Sequence, residues 1–218
     1  MTSPTASLVS RPRRGSAQTR EAILQAAVAE FAEHGYSGAR VERIVERADT
    51  NMRLVYVHFG SKEELYGAAL EAVYAEIRAK ERDLDLANLK PHLAMEKLID
   101  FTIDHFLKHP AFRSLTTYEN LLGGQTVAKS QTIAALSSPL IETIRGVLDR
   151  GQTEGVFHRS VDPLQFYVSI VALSSHHLNN VHTLSATFQT DLSAPQWRAE
   201  RAGHVRTMLM AYLTGGAG

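Results

Sequence analysis

The 218-residue sequence contains no cysteine, which excludes disulfide bonds and thiolate chemistry. It has no apolar run of about 18 residues, the length that a membrane-spanning helix needs. Its first residues also lack the apolar core of a secretory signal peptide. Together these absences predict a cytoplasmic protein that does not associate with a membrane.

The sequence also lacks the short motifs that identify common enzymes. It has no nucleophile elbow, no glycine-rich phosphate loop, no HExxH pair and no carboxylate pair of catalytic spacing. Catalytic groups can meet from distant segments, so this absence alone does not exclude an enzyme. It favours a protein without catalytic activity and without a cofactor.

Positive and negative charges balance over the whole chain, with 23 lysines and arginines against 23 acids. Residues 11–20, however, carry four arginines and no acid, and for nucleic-acid binding the distribution of charge matters more than the sum. Residues 1–15 combine this basic character with Pro, Ser, Thr and Gly, which predicts a disordered arm. Two interpretations stay open: a solvated tail without a role, and an arm that contacts DNA phosphates or the minor groove.

Two short helices joined by a tight polar turn are predicted within residues 39–65. Apolar residues recur with helical spacing on both sides of residues 49–51, whose short polar side chains bond to the local backbone. Helices of about eight residues cannot bury enough surface alone, and residues 19–34 supply an apolar face for them. The arrangement predicts a helix-turn-helix unit whose second short helix enters the DNA major groove.

One run of residues gives this unit a family resemblance. The residues are Ile44, Ala48, Tyr56, His58, Phe59, Ser61, Lys62, Glu63 and Leu65. They resemble the signature of the TetR/AcrR family of transcriptional regulators, and the similarity covers residues 17–66. The resemblance implies an N-terminal domain that binds double-stranded operator DNA and a C-terminal domain that dimerises and binds a small-molecule effector. The sequence departs from the family's usual pattern at Arg40, in place of a small hydroxyl residue, and at Asp49, in place of glycine. Asp49 is therefore predicted to have a left-handed backbone.

Eight residues in or beside the two short helices are predicted to contact DNA. They are Arg40, Asn51, Met52, Arg53, Tyr56, Val57, His58 and Lys62, of which Met52, Arg53, Tyr56 and Val57 are expected on the outward face. Arg53 is placed where a guanidinium suits bidentate contact with guanine. Tyr56 and His58 resemble the family's phosphate-facing residues. Lys62 follows the predicted N-cap Ser61 and opposes the helix dipole there, so a phosphate partner explains this lysine better than helix stability does.

The rest of the sequence is predicted to be helical, so the fold class is all-α. A helix-turn-helix domain at residues 16–60 would be joined to a helical bundle at residues 61–218 that binds the effector and dimerises. The predicted helices span residues 65–83, 91–108, 111–122, 125–135, 138–154, 163–183 and 195–214. Residues 164–181 and 197–213 carry apolar side chains on more than one face, which predicts a two-fold, four-helix interface of a homodimer.

A mixed apolar and polar effector pocket is predicted from residues on neighbouring helices. Its candidate lining is Phe101, Tyr118, Glu119, Phe166 and His177. Each aromatic residue fits equally well as ordinary core, and the sequence does not identify the effector. His105 and His109 have a spacing that puts both rings on one helix face, but no third ligand is identifiable. No metal site is therefore predicted.

These features predict a ligand-responsive transcriptional regulator, most simply a repressor that a small molecule releases from a palindromic operator. The alternative is an all-helical binding or scaffold protein that keeps the fold without specific DNA binding. Asp49 and Met52 would then be signs of the lost activity. A measurement of DNA binding separates the two hypotheses.

Overall fold

Helices follow one another along almost the whole chain in a computed structural model, which describes residues 15–215. The α-helices of this part of the chain are α1 (Ser16–Gly38), α2 (Val41–Ala48), α3 (Met52–Phe59), α4 (Lys62–Arg82), α5 (Pro91–Lys108), α6 (Pro110–Leu121), α7 (Gln125–Lys129), α8 (Gln131–Thr153), α9 (Pro163–Asn179), α10 (Val181–Phe188) and α11 (Pro195–Thr214). A 3₁₀ turn, Leu86–Asn88, lies between α4 and α5. The predicted all-α fold class is confirmed. The predicted basic arm lies outside the described residues except for Gly15, which precedes α1.

Several helices begin where the sequence places a local start signal. α5, α6, α9 and α11 begin at Pro91, Pro110, Pro163 and Pro195. Proline suits this position because the first amides of a helix have no partner within the helix. Side chains cap other starts: Asp162 Oδ1 accepts from the Gln165 amide at 2.8 Å, and Ser61 Oγ accepts from the Glu64 amide at 3.1 Å. These signals explain why the starts of α5, α9 and α11 agree with the prediction.

The break predicted at residues 136–137 is wrong. α8 continues through Pro139, and the chain breaks earlier, at Ser130. Ser130 Oγ accepts from the Ile133 amide at 3.1 Å and also donates to Glu71 Oε1 at 2.6 Å. The Ser130 hydroxyl thus caps α8 and ties its start to α4. A contact between residues 59 positions apart has no local sequence signal.

The single helix predicted at residues 163–183 is also wrong, because α9 and α10 are separated by Asn180. Both the Asn180 amide, at 3.1 Å, and its Nδ2 atom, at 2.9 Å, donate to the His176 carbonyl, so the Asn180 side chain bonds to the last turn of α9. By contrast, the backbone does change where the apolar face predicted at residues 19–34 ends. Gly35 has φ 66° and ψ 178°, and one further turn follows it to Gly38.

Two hydrophobic cores hold the helices together. Their fully buried members include Phe31, Ile44, Tyr66 and Leu115 in the first core and Leu98, Ile144, Phe166 and Ile170 in the second. Because Leu115 belongs to α6, the first core crosses the predicted domain boundary at residues 60–61. The helices that would present DNA contacts therefore pack directly on the remaining bundle. Within residues 15–215, no helix combines the length and apolarity needed to cross a bilayer.

Candidate nucleic-acid interface

The turn between α2 and α3 is closed by backbone and side-chain hydrogen bonds. Asp49 has the predicted left-handed conformation, with φ 51° and ψ 55°, and the Thr50 amide donates to the Val45 carbonyl at 3.1 Å. The Asn51 Oδ1 atom then accepts from the Leu54 amide at 3.1 Å. The Asn51 side chain therefore acts as the N-cap that fixes the direction in which α3 leaves the turn.

One face of α3 is held in the first core and the opposite face is open. Val55 and Phe59 are buried, whereas Arg53 is exposed, Tyr56 is 46% exposed and Val57 is 66% exposed. Arginine can contact guanine, an apolar side chain can contact the thymine methyl group, and a phenol can reach a phosphate. The open face thus offers side chains for both base reading and backbone contact.

The Met52 side chain is less exposed to solvent than predicted. It is partly buried and packs, like Leu54, against the first core. His58 is also partly buried, and its ring meets the Phe59 ring edge-on with centroids 6.5 Å apart. Met52 and His58 therefore have contacts inside the protein, and the most open positions of α3 are those of Arg53, Tyr56 and Val57.

The position of α2 is fixed by a buried carboxylate on α1. Glu30 is fully buried, and its Oε1 atom accepts from Arg43 Nε at 2.7 Å and from the Arg40 amide at 3.0 Å. Burial alone would raise the pKa of Glu30, but the bonds to Arg43 and to the Arg40 amide outweigh it, and the pKa is lowered. The Arg40 backbone is thus anchored while its side chain stays exposed at the start of α2.

Lys62 has two contacts inside the protein. Its Nζ atom donates to the Ala39 carbonyl at 2.8 Å and lies 4.8 Å from the centroid of the Tyr36 ring. The second contact is a cation–π interaction. These contacts give a second reason for a lysine in the first turn of α4, beside the predicted phosphate contact.

The Lys62→Ala substitution is expected to change both DNA binding and stability. An ammonium has three donor hydrogens, and the Ala39 carbonyl takes one, so a phosphate can take another. We expect weaker binding to all DNA sequences, a salt slope lower by about 0.9 per subunit, and a free energy of unfolding lower by about 2 kcal/mol. DNA titrations at several salt concentrations and urea unfolding measure these effects. Lys108→Ala, on the exposed side of α5, is the control. An unchanged salt slope in Lys62→Ala would mean that Lys62 does not contact phosphate and makes only its internal contacts.

Two of the predicted effector residues, Tyr118 and Glu119, lie where α6 meets α1, α4 and α7. The Tyr118 ring covers Gly35, so that a Cβ atom at Gly35 would lie 2.9 Å from Tyr118 Cδ1. The buried Glu119 accepts from two backbone amides of α7 at 2.6 and 3.0 Å. Burial, followed by the nearby Glu119 charge, raises the pKa of Tyr66 on α4. Tyr118 and Glu119 therefore have structural partners that join α6 to α1, α4 and α7.

The other three predicted effector residues lie on α5 and α9. Phe101 is partly buried on α5 and lines an open groove with Leu93. Phe166 is buried in the second core. His177 is buried on α9, with its ring centroid 5.5 Å from that of Trp197. Phe101 and Phe166 line two different cavities, and an effector pocket shared by all five residues stays a prediction.

A buried polar group that the sequence did not predict joins α4 to α9. Arg78 Nη1 donates to Glu81 Oε2 and, at 2.9 Å, to the Tyr167 hydroxyl, which donates to Glu81 Oε1 at 3.1 Å. Arg78 and Glu81 are both buried. The only local signal in the sequence was the spacing of Arg78 and Glu81, two opposite charges three positions apart near the apolar side of α4. Their partner Tyr167 lies 89 residues from Arg78.

The two histidines considered as metal ligands interact with α4 instead. The His105 and His109 rings stack with centroids 4.4 Å apart, and His109 contacts Lys80 and Glu76 at 3.0 and 3.4 Å. Burial, and then the His109 charge, lowers the pKa of His105 to about 4. In the part of the chain that the structure describes, no three His, Cys, Asp or Glu side chains lie close enough together to hold a metal ion.

The sequence is similar to known transcriptional regulators over both parts of the fold. Residues 23–69 match the family described as bacterial regulatory proteins, tetR family, and residues 91–209 match the tetracyclin repressor-like C-terminal domain. The HTH-type transcriptional repressor NicS of Pseudomonas putida is 36% identical over 183 residues, which are 84% of this chain and 86% of NicS. The HTH-type transcriptional repressor SCO4008 of Streptomyces coelicolor is 31% identical over 159 residues, 72% of this chain and 77% of SCO4008.

A solved structure supports the same assignment. That of the protein SCO4942 from Streptomyces coelicolor superimposes with a TM-score of 0.61 at 28% identity, over 87% of this chain and 97% of that chain. The matched family and the two repressors are regulators of transcription and not enzymes, and they give no support to a scaffold that has lost DNA binding. The chain therefore belongs to the TetR family of bacterial transcriptional regulators.

Proposed function

We propose that this repressor binds a palindromic DNA operator as a homodimer in the cytoplasm and leaves it when a small molecule binds. The observation that carries the proposal is the open face of α3. Arg53, Tyr56 and Val57 project from a helix whose start is capped by Asn51 and whose other face is held in the core. A fixed helix with a mixed polar and apolar face suits reading in the major groove. Repression is further supported by two relatives that are named as repressors.

Specific operator binding is the direct test of this function. Fluorescence anisotropy would compare the DNA upstream of the protein's own gene with a scrambled duplex of equal length and composition, at one fixed salt concentration. We expect a dissociation constant of about 10⁻⁸ to 10⁻¹¹ M for the operator and binding at least about 10³-fold weaker for the scrambled duplex. Equal affinity for the two duplexes would contradict the proposal.

Exposed apolar side chains on α9 and α11 support the predicted dimer. Leu164 and Val168 are 54% and 53% exposed one helical turn apart on α9, and Met208 and Tyr212 are 45% and 48% exposed one turn apart on α11. Phe166 lies on the inner side of α9 and belongs to the second core. The second core therefore extends towards the surface that these exposed side chains form. Large apolar groups on two adjacent helices suit a self-complementary interface between two copies of the chain.

The double substitution Val168→Lys/Met208→Lys is expected to convert the dimer into a monomer. A two-fold interface would then bring four added positive charges together in an apolar contact, which opposes association. Sedimentation velocity at micromolar concentration measures the change from twice 24.1 kDa to 24.1 kDa. Leu93→Lys is the matched control, because Leu93 is 53% exposed on α5, outside this surface. A wild-type protein that is monomeric under these conditions would contradict the predicted dimer.

Helix α4 gives the effector a physical route to the DNA-binding surface. Its first residue, Lys62, follows α3 after only two residues, and its far end carries Arg78 and Glu81, which bond to Tyr167 of α9. A displacement of α9 would therefore act on α4 and, through it, on α3. The effector releases DNA only if it binds the DNA-free geometry more tightly than the DNA-bound one, because equal affinity shifts no population.

A further inference from the structure

Three arginines from α6 and α11 lie near His177 of α9, and two of them bond to α9 on either side of it, at Leu173 and Asn179. Arg113 lies on α6, Arg198 and Arg201 lie on α11, and the charge of all three acts on the His177 ring. The Trp197 ring lies beside His177, with ring centroids 5.5 Å apart. We call these five residues the arginine cluster. Its arginines and Trp197 are only partly buried, so the cluster keeps contact with solvent.

The arginine cluster contains several buried polar atoms without a hydrogen-bond partner. They are Nε of Arg113, Arg198 and Arg201, Nδ1 of His177 and Oγ of the neighbouring Ser174. The remaining bonds of the guanidinium groups are long: Arg113 Nη1 lies 3.5 Å from Asn179 Oδ1, and Arg201 Nη2 lies 3.3 Å from the Leu173 carbonyl. Folded proteins satisfy most buried donors and acceptors, so a concentration of unsatisfied atoms at one place needs an explanation.

Within residues 15–215, the structure pairs none of the three arginines with a carboxylate. The Asp191 carboxylate interacts with the charge of Arg198, but its Oδ1 atom already accepts from the amide and the hydroxyl of Ser193. Burial, followed by the charges of the three arginines, lowers the pKa of His177 to about 4. At neutral pH the cluster therefore holds three positive charges beside a neutral imidazole. Partly buried charges of one sign favour a ligand of the opposite sign.

On α9, the arginine cluster and the proposed dimer surface lie on different faces of the helix. His177 follows Val168 by nine positions, which places the two side chains about half a turn apart around the helix axis. Val168 is 53% exposed, whereas His177 is 7% exposed and faces the packed helices. The cluster comprises residues from three helices of one chain, and on α11 its Arg201 lies about two helical turns before Met208.

We propose that the arginine cluster binds the oxyanion group, a carboxylate or a phosphate, of a small organic effector. The inference rests on the proposed function, because it makes the cluster the place where the effector is sensed. A guanidinium presents Nε and a terminal nitrogen as a fork that matches two oxygens of a carboxylate or phosphate. The Ser174 hydroxyl and the neutral His177 ring offer further hydrogen bonds, and Trp197 offers a flat apolar surface for the organic part.

Occupation of the arginine cluster would act on the same helix that anchors α4. α9 carries His177 near its C-terminal end and Tyr167 near its start, and Tyr167 bonds to Arg78 and Glu81 of α4. An anion that draws α6 and α11 towards His177 therefore changes the packing of α9. The Tyr167 contact passes that change to the helix that follows α3.

Trp197 is the only tryptophan in the chain, so its fluorescence reports on the cluster directly. The intact dimer would be titrated with sodium benzoate, with inorganic phosphate and with benzamide, the uncharged analogue of benzoate, at constant ionic strength set by sodium chloride. We expect a saturable change of emission with at least one anion and none with benzamide. The tighter of the two anions identifies the group as carboxylate or phosphate. The absence of a saturable response to either anion would overturn the proposal.

Substitutions test whether the anion binds at the arginine cluster or elsewhere on the protein surface. Arg113→Gln and Arg201→Gln are expected to weaken anion binding at least about tenfold, because each removes a charge-assisted hydrogen bond. Arg145→Gln, which changes an exposed arginine on α8, is the matched control and should bind as the wild type does. Both cluster variants should melt at or above the wild-type temperature without anion, because each loses an unpaired, partly buried charge. Unchanged anion affinity in both would overturn the site.

The repressor function is tested separately by operator affinity measured without any anion. If the operator is bound and the bound anion lowers that affinity, the cluster is the effector site. If the anion binds but the operator affinity stays constant, the assignment of the cluster to the effector is overturned while the repressor function stands. Loss of operator binding in the wild type without anion would instead contradict the proposed function.

Discussion

Replacing Arg53 by alanine is expected to weaken binding to the specific operator by about 1–3 kcal/mol for each half-site and to relax the preference at one base position. Arg53 is exposed on the second residue of α3, next to the Asn51 cap that fixes the helix. Residues near the start of a recognition helix reach base edges, and a guanidinium can bond to guanine O6 and N7 together. A dimer presents two copies, so the total effect is about twice the effect at one half-site.

The measurement is a pair of titrations for each protein, one on the operator and one on a scrambled duplex, each at several salt concentrations. Arg145→Ala, an exposed arginine on α8, controls for the loss of one positive charge. An equal loss of affinity for both duplexes would mean that Arg53 contacts only phosphate. Base reading would then have to come from Val57 or the turn, because Met52 is partly buried against the core.

Replacing Gly35 by alanine is expected to lower the free energy of unfolding by about 2–4 kcal/mol. The Gly35 backbone, with φ 66° and ψ 178°, lies in a region that side chains rarely allow. The added Cβ atom would also meet the Tyr118 ring at 2.9 Å. Two separate costs, one in the backbone and one in the contact with α6, therefore add at this position.

A double-mutant cycle with Tyr118→Ala separates the two costs. In the Tyr118→Ala protein, the Gly35→Ala substitution should cost only the backbone part, and urea unfolding measures the difference. Gly38→Ala is the control, because its nearest neighbour, the His34 Cβ atom, would lie at 3.4 Å. Equal costs with and without the Tyr118 ring would show that the ring contributes nothing to the constraint on Gly35.

The helix-turn-helix unit could be predicted from the sequence because its signals are local. The Asn51 cap bonds to an amide three residues away, and the left-handed residue Asp49 lies directly between two short apolar patterns. The prolines that open α5, α9 and α11 act in the same way within one helical turn. Such features depend on neighbouring residues alone, so the pattern of residue types carries them.

The predicted effector residues were harder to place because their partners come from distant parts of the chain. Glu119 is a polar residue in an apolar helix, and this pattern alone does not distinguish a ligand contact from its observed bonds to α7. The sequence pattern indicated His177 but not the arginines beside it, since Arg113 and Arg201 are separated from it by 64 and 24 positions. Only the packing of α6, α9 and α11 brings these residues together.

Because α4 is one continuous helix, a small tilt at its end in the helical bundle becomes a larger displacement at its end beside the DNA-binding surface. About 16 residues separate Lys62 from Arg78, which is a rigid arm of about 24 Å at 1.5 Å per residue. A tilt of about 5° around the Arg78 end displaces the Lys62 end by about 2 Å, and a two-fold pair of such arms changes the separation of its two α3 helices by up to about 4 Å. Successive major grooves on one side of a DNA duplex repeat about every 34 Å. This spacing stays the same when the protein changes conformation. An effector therefore needs to rotate one helix by only a few degrees to put both reading helices out of register with the operator.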